Sequence, residues 1–445
     1  MTMSSKLSRR QFVRNTAVLA GATLSFPAIL RSANANGKLQ VAVVGSNGQG
    51  LSDLGEIGSH ANMQFVGFCD VDTSRLDKAT AKFPGVETFQ DFREMFAKLG
   101  TGLDAVQVST PDHGHALISL TAMRLGKHVY CQKPLTHTVW ESRQMRLEAE
   151  KSGVITQMGN QIHSASEYRT AVKLLRDGVI GKIVATHSWI GNHGNQFTGL
   201  AAPAPSGPVP ATLNWDLWVG PAPMRDFAPD VYHPFKWRDW QDFGSGGLGD
   251  FGCHILDPIF TALGITAPIS IRAENDGTNP QTWPAAETIS YVFPGNEYTA
   301  AKTLPVTWWD GGRQPQVALA QMPTGHTLPG GGSLILGEGG TMVLPHVGMP
   351  KLYPEEKFKD FEIKKEPGSS HYHAWVDGCL AGKKTSDGFH YAAPLSETVQ
   401  LGNVATRLPG RELLWDAAAL TVTNVPEANP LLTKQYRAGW EVTAV

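Results

Sequence analysis

Apolar positions in this chain fall first into short runs that end in turn residues, and between them into stretches with helical spacing. Leu39-Gln-Val-Ala-Val-Val44 is the first such run, and Gly45-Ser-Asn-Gly-Gln-Gly50 follows it. A buried run that opens into a glycine turn predicts a parallel strand feeding a helix. Gln64-Phe-Val-Gly-Phe-Cys69 predicts a second strand, ending at Asp70. Asp104-Ala-Val-Gln-Val-Ser109 predicts a third, which Pro111 stops within Thr110-Pro-Asp-His-Gly-His115. A helix from Ala116 to Leu125, closed by Gly126, comes next, then a strand His128-Val-Tyr-Cys131 with Gln132-Lys-Pro134 at its tip. A polar helix over 138–152 ends at Gly153, and a strand runs from Val154 to Met158. Strands alternating with helices predict βαβ units around a parallel sheet.

After residue 160 the pattern changes. A helix near Ser164–Arg176 stops at Asp177-Gly178, and Lys182–Ile190 alternates as a strand should. The stretch 191–245 is rich in Pro, Gly and Trp, too long for a structureless loop unless it is functional or wrapped on the surface. Strand candidates follow at Ile269–Ala273, Thr288–Phe293, Thr299–Leu304, Ser333–Leu336 and Thr341–Leu344, then helices near His371–Leu380 and Pro394–Arg407. The expected fold is α/β: a Rossmann dinucleotide-binding domain over 36–160, and over 161–445 an α/β domain with an open, mainly antiparallel sheet. At 445 residues the chain is long enough for two full cores.

The turn after the first strand can bring backbone N–H groups at a helix N-terminus to a pyrophosphate, through Gly45, Asn47, Gly48 and Gly50. The fingerprint G-x-G-x-x-G would have glycine at 47; Asn47 can stand there because Asn tolerates positive φ. Asp70, twenty-five residues after Gly45, can accept hydrogen bonds from both adenosine ribose hydroxyls and would repel a 2′-phosphate, favouring NAD over NADP. A glycine turn in some other α/β domain, with Asp70 capping a loop, is the plainer alternative.

Formal charge is near neutral, which points away from nucleic acid. Residues 1–35 hold five basic residues and no acid, so the remainder carries 33 basic against 40 acidic. Ser8-Arg-Arg-Gln-Phe-Val13, the modest apolar run Ala17–Leu30 and Ala33-Asn-Ala35 have the order of a twin-arginine signal peptide, with cleavage after Ala35. That predicts a periplasmic protein exported already folded, which suits one that takes up its nucleotide in the cytoplasm. No stretch approaches a membrane span. The four cysteines, Cys69, Cys131, Cys253 and Cys379, lack metal or disulfide spacing and read as buried thiols, three of them beside candidate site residues.

Lys133 leaves a buried strand at the edge where a nicotinamide would lie, with Pro134 holding the backbone, and its ammonium could stabilise a developing alkoxide. Gly244-Ser-Gly-Gly-Leu-Gly-Asp-Phe-Gly-Cys-His254 predicts a loop entering a helix, with Asp250 and His254 four apart on one face. A histidine there can accept a proton, and a carboxylate one turn away can orient it or hold a substrate. Spacing alone equally allows Asp250 as an N-cap and His254 at the edge of the core. His113-x-His115 and His371-x-His373 lack a third ligand of known spacing, so no metal is expected. Trp215, Trp218, Trp237 and Trp240 could form a platform for a sugar or simply fill a core.

Together these residues resemble the Gfo/Idh/MocA family, the glucose–fructose oxidoreductase and inositol dehydrogenase group. Its Glu-Lys-Pro motif matches Gln132-Lys133-Pro134, its Asp-x-x-x-His pair Asp250 and His254, and its Thr-Pro-x-x-x-His turn Thr110-Pro111 through His115. Asn214–Pro223, Tyr232-His-Pro-Phe-Lys-Trp-Arg238 and Gly249–Asp257 resemble the exported, twin-arginine group within it. The resemblance implies an NAD-retaining oxidoreductase acting on a sugar, glycoside or polyol, and a homodimer or homotetramer. Lys133, Asp250 and His254 would be catalytic. Gly45, Asn47, Gly48, Gly50, Asp70, Thr110, Pro111, His113, His115, Gln132 and Lys133 would hold the cofactor. His163, His193, Tyr232, His233, Trp237 and Arg238 would join the catalytic three around the substrate. Some members of the family are instead glycosidases or lyases that oxidise the sugar transiently; here Tyr232, His233, His193 or His163 would supply the further acid/base. A sugar-binding protein on the same scaffold is a third possibility, though binding alone requires no base beside the cofactor.

Overall fold

The computed structural model describes residues 37–191 and 205–445. The expected signal peptide, residues 1–35, and His193 lie outside the described residues. Six strands form a parallel sheet: β1 (Leu39–Val44), β2 (Met63–Cys69), β3 (Glu87–Phe89), β4 (Ala105–Val108), β5 (His128–Gln132) and β6 (Thr156–Gly159). Their order is 3-2-1-4-5-6, so the chain reverses direction across the sheet between β1 and β4, at the crevice where such folds bind nucleotides. β1 is buried along its whole length, as expected of a strand covered on both faces.

Helices α1 (Gln49–Ile57), α2 (Asp112–Arg124) and α3 (Val139–Ser152) pack on the sheet. Gly153 ends α3 in the left-handed conformation, and the Thr138 side chain caps its start by accepting from Glu141 N–H. α2 begins at Asp112, earlier than the expected Ala116, because Pro111 sits at its N-cap and needs no donor. That shift moves His113 and His115 from a turn into the buried first turn of a helix.

The second sheet has nine strands: β7 (Ile183–Ile190), β8 (Ser270–Asn275), β9 (Glu287–Pro294), β10 (Thr303–Trp309), β11 (Gly331–Gly337), β12 (Gly340–Pro345), β13 (Lys351–Tyr353), β14 (Glu412–Asp416) and β15 (Thr421–Val422). Their order is 13-12-11-7-10-9-8-14-15, antiparallel except where β7 pairs with β10. The expected strand Thr299–Leu304 is displaced: Asn296 folds the chain into a turn by accepting from Tyr298 N–H, and β10 starts only at Thr303. α4 (Ser166–Arg176), α5 (Gly246–Ile255), α6 (Asp257–Leu263), α7 (His371–Ala381) and α8 (Phe389–Thr406) complete the scaffold. α8 starts five residues before Pro394, which it carries in its interior, whereas Pro394 was expected near its first turn. α7 packs its Trp375, Val376 and Cys379 against Leu39, Val41 and Tyr130 of the first sheet, so the end of the chain covers one Rossmann face.

The stretch after residue 204 forms an aromatic cluster of its own. Trp218, Tyr232, Trp237, Trp240 and Phe243 are buried there, with Trp215 stacked on Trp218 at 4.7 Å. Burial, the plainer reading of these tryptophans, accounts for most of their surface.

The tightest backbone approach is at the glycine turn. A Cβ on Gly50 would lie 1.9 Å from the Gly45 carbonyl oxygen, which has nowhere to move. Gly50→Ala should therefore cost about 1–3 kcal/mol, read as a lowered urea midpoint. Gly102→Ala, where a Cβ meets nothing within 4 Å, should leave the midpoint nearly unchanged.

Candidate active site

The carboxyl ends of β1, β2, β4 and β5 open into a cleft of about 420 Å³. Gly45, Asn47, Gly48, Asp70, Thr110, Pro111, His113, Gln132 and Lys133 line it, with Trp218, His233, Trp237 and Arg238 from the aromatic segment opposite. Gly45 and Gly48 take positive φ at 85° and 59°; Asn47 does not, contrary to expectation. Its side chain closes the turn instead, accepting from Gly48 N–H at 2.7 Å and donating to the Arg75 carbonyl at 3.2 Å. Asp70 ends β2 as expected, its two oxygens accepting from Ser46 and Asp72 N–H at 3.1 Å each. Burial pushes its carboxyl up to about 6. A glycine cradle at a helix start, facing a carboxylate across the crevice, fits a dinucleotide.

Gln132 has a partner that no local motif announces. Its Nε2 donates to Asp53 on α1 at 2.7 Å, and Asp53 also accepts from Ser109, Gln49 and Tyr372 hydroxyl or amide groups. Gln132 Oε1 accepts from Lys133 N–H at 3.3 Å. A glutamate at 132 would place a second carboxylate against Asp53; glutamine turns that repulsion into a hydrogen bond.

Lys133 points its ammonium at α5. Nζ donates to Asp250 Oδ1 at 2.6 Å and to the Asp250 carbonyl at 2.7 Å, and Arg238 Nε donates to the same Oδ1 at 3.3 Å. Burial would raise the Asp250 carboxyl, but these two cations outweigh it and hold it well below the usual range. Ser245, not Asp250, stands at the N-cap of α5, so the capping role is excluded. His254 lies one turn on, as its spacing predicted. Asp250 is taken up by Lys133 and Arg238, and the partner of His254 is Asn160, whose Oδ1 meets its Nδ1. Burial, then the charge of Lys133, keeps His254 well below the ordinary histidine value. Asp112 belongs to the same cluster and was not anticipated; burial pushes it up to about 7 against the pull of Arg238.

Several expected site residues are taken up by protein partners or lie outside the cleft. His115 is buried with both nitrogens 2.8 Å from the Pro134 and Thr110 carbonyls, and His113 faces those of Phe243 and Trp218, so both brace backbone. Tyr232 is buried in the aromatic cluster, away from the cleft. His163 lines a separate cavity, where Nδ1 pairs with Asp257 at 2.9 Å and Nε2 with Ser386 at 3.0 Å. Burial lowers its pKa, but Asp257 overrides this and brings it up to about 9. His233, at the cleft wall, pairs with Asp72 at 3.0 Å. All four cysteines are buried and free.

A model of an oxidoreductase family with an NAD-binding Rossmann fold matches residues 39–160, and that family's C-terminal alpha/beta domain matches residues 168–297. The chain belongs to the Gfo/Idh/MocA family. Levoglucosan dehydrogenase of Pseudarthrobacter phenanthrenivorans is 26% identical over 156 residues, 35% of this chain and 32% of that protein. A glycosyl hydrolase family 109 protein of a Shewanella species is 25% identical over 155 residues, 33% of each. The match thus spans about a third of these curated relatives. In three dimensions, the WlbA dehydrogenase of Chromobacterium violaceum, solved with NADH and UDP-GlcNAcA, superposes with a TM-score of 0.61 at 15% identity, over 89% of this chain and 99% of that one. In this Gfo/Idh/MocA chain the Rossmann fold is of the NAD(P)-binding kind, and Asp70 is the group whose ionisation nucleotide binding should report. Ribose hydroxyls donating to the ionised carboxylate would lower the Asp70 pKa from about 6. NADH affinity should then rise as pH climbs toward 6 and level off above it, roughly tenfold between pH 5 and 7 by fluorescence titration. Asp70→Asn should flatten that dependence.

Proposed function

We propose that this chain is an exported oxidoreductase that holds NAD tightly and transfers hydride at a ring carbinol of a sugar, glycoside or polyol. One observation carries the reading: Lys133, at the cleft end of β5, is fixed by Asp250, with His254 one turn along the same helix. A bound nicotinamide would accept or return the hydride. Lys133 donates to the substrate oxygen and stabilises its negative charge, while His254, kept neutral, takes the hydroxyl proton. Asp250 neutralises Lys133 and holds its ammonium in place. NAD is favoured over NADP because Asp70 occupies the ribose end; Arg75, also lining the cleft, offsets part of the repulsion a 2′-phosphate would meet. Similarity to levoglucosan dehydrogenase agrees with a sugar substrate.

Similarity to a glycosyl hydrolase family 109 protein supports a second reading, a glycosidase that oxidises its sugar transiently and shows no net redox change. The open second sheet suggests a homodimer or homotetramer, and the Ser8–Val13 motif a periplasmic location reached by the twin-arginine machinery.

Product masses after incubation with a glycoside panel, without added cofactor, separate the readings. Loss of two hydrogens with the glycosidic bond intact supports the dehydrogenase; release of aglycone from an unoxidised sugar supports the glycosidase. Lys133→Met should lower turnover at least about 100-fold while nucleotide binding persists, and unchanged turnover would sink the mechanism. For export, Arg9→Lys with Arg10→Lys should leave the protein unprocessed in the cytoplasm, whereas the parent chain should be recovered from periplasm beginning at Asn36. Periplasmic recovery of the double variant would refute the route.

A further inference from the structure

Beside His254 stands a second imidazole from a part of the chain that no motif marks. His346 follows β12 on the second sheet, where its N–H donates to the Gly331 carbonyl at 2.9 Å. Its ring centroid is 5.7 Å from that of His254 and 5.7 Å from that of Phe251. Both imidazoles are half-buried and anchored through Nδ1, but to partners of opposite character.

Asn160 is fully buried, and its Nδ2 donates to the Cys253 carbonyl at 3.0 Å. That contact fixes the amide, so the atom facing His254 is Oδ1, which can only accept. The proton of His254 therefore sits on Nδ1, and Nε2 offers a lone pair. Tyr168 is equally buried, and among the described residues its hydroxyl has one hydrogen-bond partner, His346 Nδ1, at 3.3 Å. Accepting from the ring would leave the buried phenolic hydrogen unpaired, so the hydroxyl donates to Nδ1. His346 thus accepts at Nδ1 and carries its own proton on Nε2. Burial, followed by the charge of Lys133, holds His346 below the ordinary histidine value, so it stays neutral beside a neutral His254. Neither Nε2 has a hydrogen-bond partner among the described residues. The other charged groups of this cluster are Asp250, which draws on Lys133, and Arg238, which draws on Asp250.

We propose that His346 is a substrate-contacting residue whose Nε2–H donates a hydrogen bond to an oxygen on the carbon next to the one oxidised. The proposal rests on the oxidoreductase reading of the site and deepens it. Two imidazoles in opposite tautomers form a matched pair, an acceptor for the hydroxyl that loses its proton and a donor for its neighbour. The substrate class this selects is a neutral ring with adjacent oxygens, a vicinal diol or a hydroxy ether. An isolated alcohol or a deoxy sugar would leave one member of the pair unmet.

The tautomers can be read without a substrate, by 15N NMR of histidine-labelled protein, assigning the two rings through His346→Asn and His254→Asn. The expected pattern is Nδ1–H for His254 and Nε2–H for His346, both neutral at pH 6.5, near the ordinary histidine midpoint of about 6.5. Tyr168→Phe should mix the His346 tautomers and leave His254 unmoved. A His346 proton on Nδ1, or a charged ring, would overturn the proposal. Kinetics with levoglucosan and its monodeoxy analogues give the second readout. His346→Leu should lower kcat/KM about 10- to 100-fold, and the analogue lacking the adjacent hydroxyl should lose no more in the variant. Additive losses would count against the contact. If the parent protein oxidises nothing in a wider glycoside panel, the oxidoreductase reading fails, and the tautomers still decide the assignment of His346.

Discussion

The structure depends on one ammonium held against one carboxylate inside a largely buried site. Lys133 comes from the parallel sheet and Asp250 from a helix that belongs with the second sheet, so their 2.6 Å contact joins the two halves of the molecule. Pairs of this kind contribute little net stability once desolvation is counted, although removing one partner is costly. Their value here is geometric. Lys133 donates to both the carboxylate and the carbonyl of Asp250, which fixes its direction as well as its charge. Burial, with the same charge added to it, keeps His254 and His346 neutral.

A second balance lies behind Lys133. The carboxylate of Asp53 is fully buried, and burial raises its pKa even though Gln49, Gln132, Ser109 and Tyr372 donate to it. Glutamine at 132 is what that carboxylate requires of its neighbour. What looks like a departure from the family motif, read along the chain, is in space the donor half of the Asp53–Gln132 hydrogen bond. It leaves the backbone of Lys133 anchored by Gln132 Oε1.

Much of this was legible in the sequence wherever the signal is local. The strand–turn–helix at 39–57, Asp70 at a strand end, Lys133 at another and Asp250 with His254 on one helix face all follow from spacing over a few residues. Asn160, His346, Asp53 and Asp112 escaped because their roles are set by residues far off in sequence: His254 is 94 positions from Asn160, and Gln132 is 79 from Asp53. His113 and His115 were legible as neighbours of the cleft, but their partners were not. A helix beginning at Asp112 turns both rings onto carbonyl oxygens from other parts of the chain, while His113 still lines the cleft.

Retention of the nucleotide, part of the proposed function, draws on how the aromatic segment meets the Rossmann edge. Asn214 N–H donates to the Val71 carbonyl at 2.9 Å, Thr73 N–H to the Thr212 carbonyl at 2.9 Å, and His233 pairs with Asp72. These contacts tie the segment to the chain just past Asp70, at the ribose end of the cleft. Behind them the stacked rings of Trp215, Trp218 and Tyr232 give the strap a core of its own. A nucleotide seated beneath would have to part several hydrogen bonds and disturb a packed cluster before leaving, which would slow dissociation more than it would strengthen binding. If the protein is exported folded, as proposed, into a compartment poor in NAD, a slow off-rate would be the property that matters. A strap built from buried aromatics, tied at the ribose end of the cleft, would supply it.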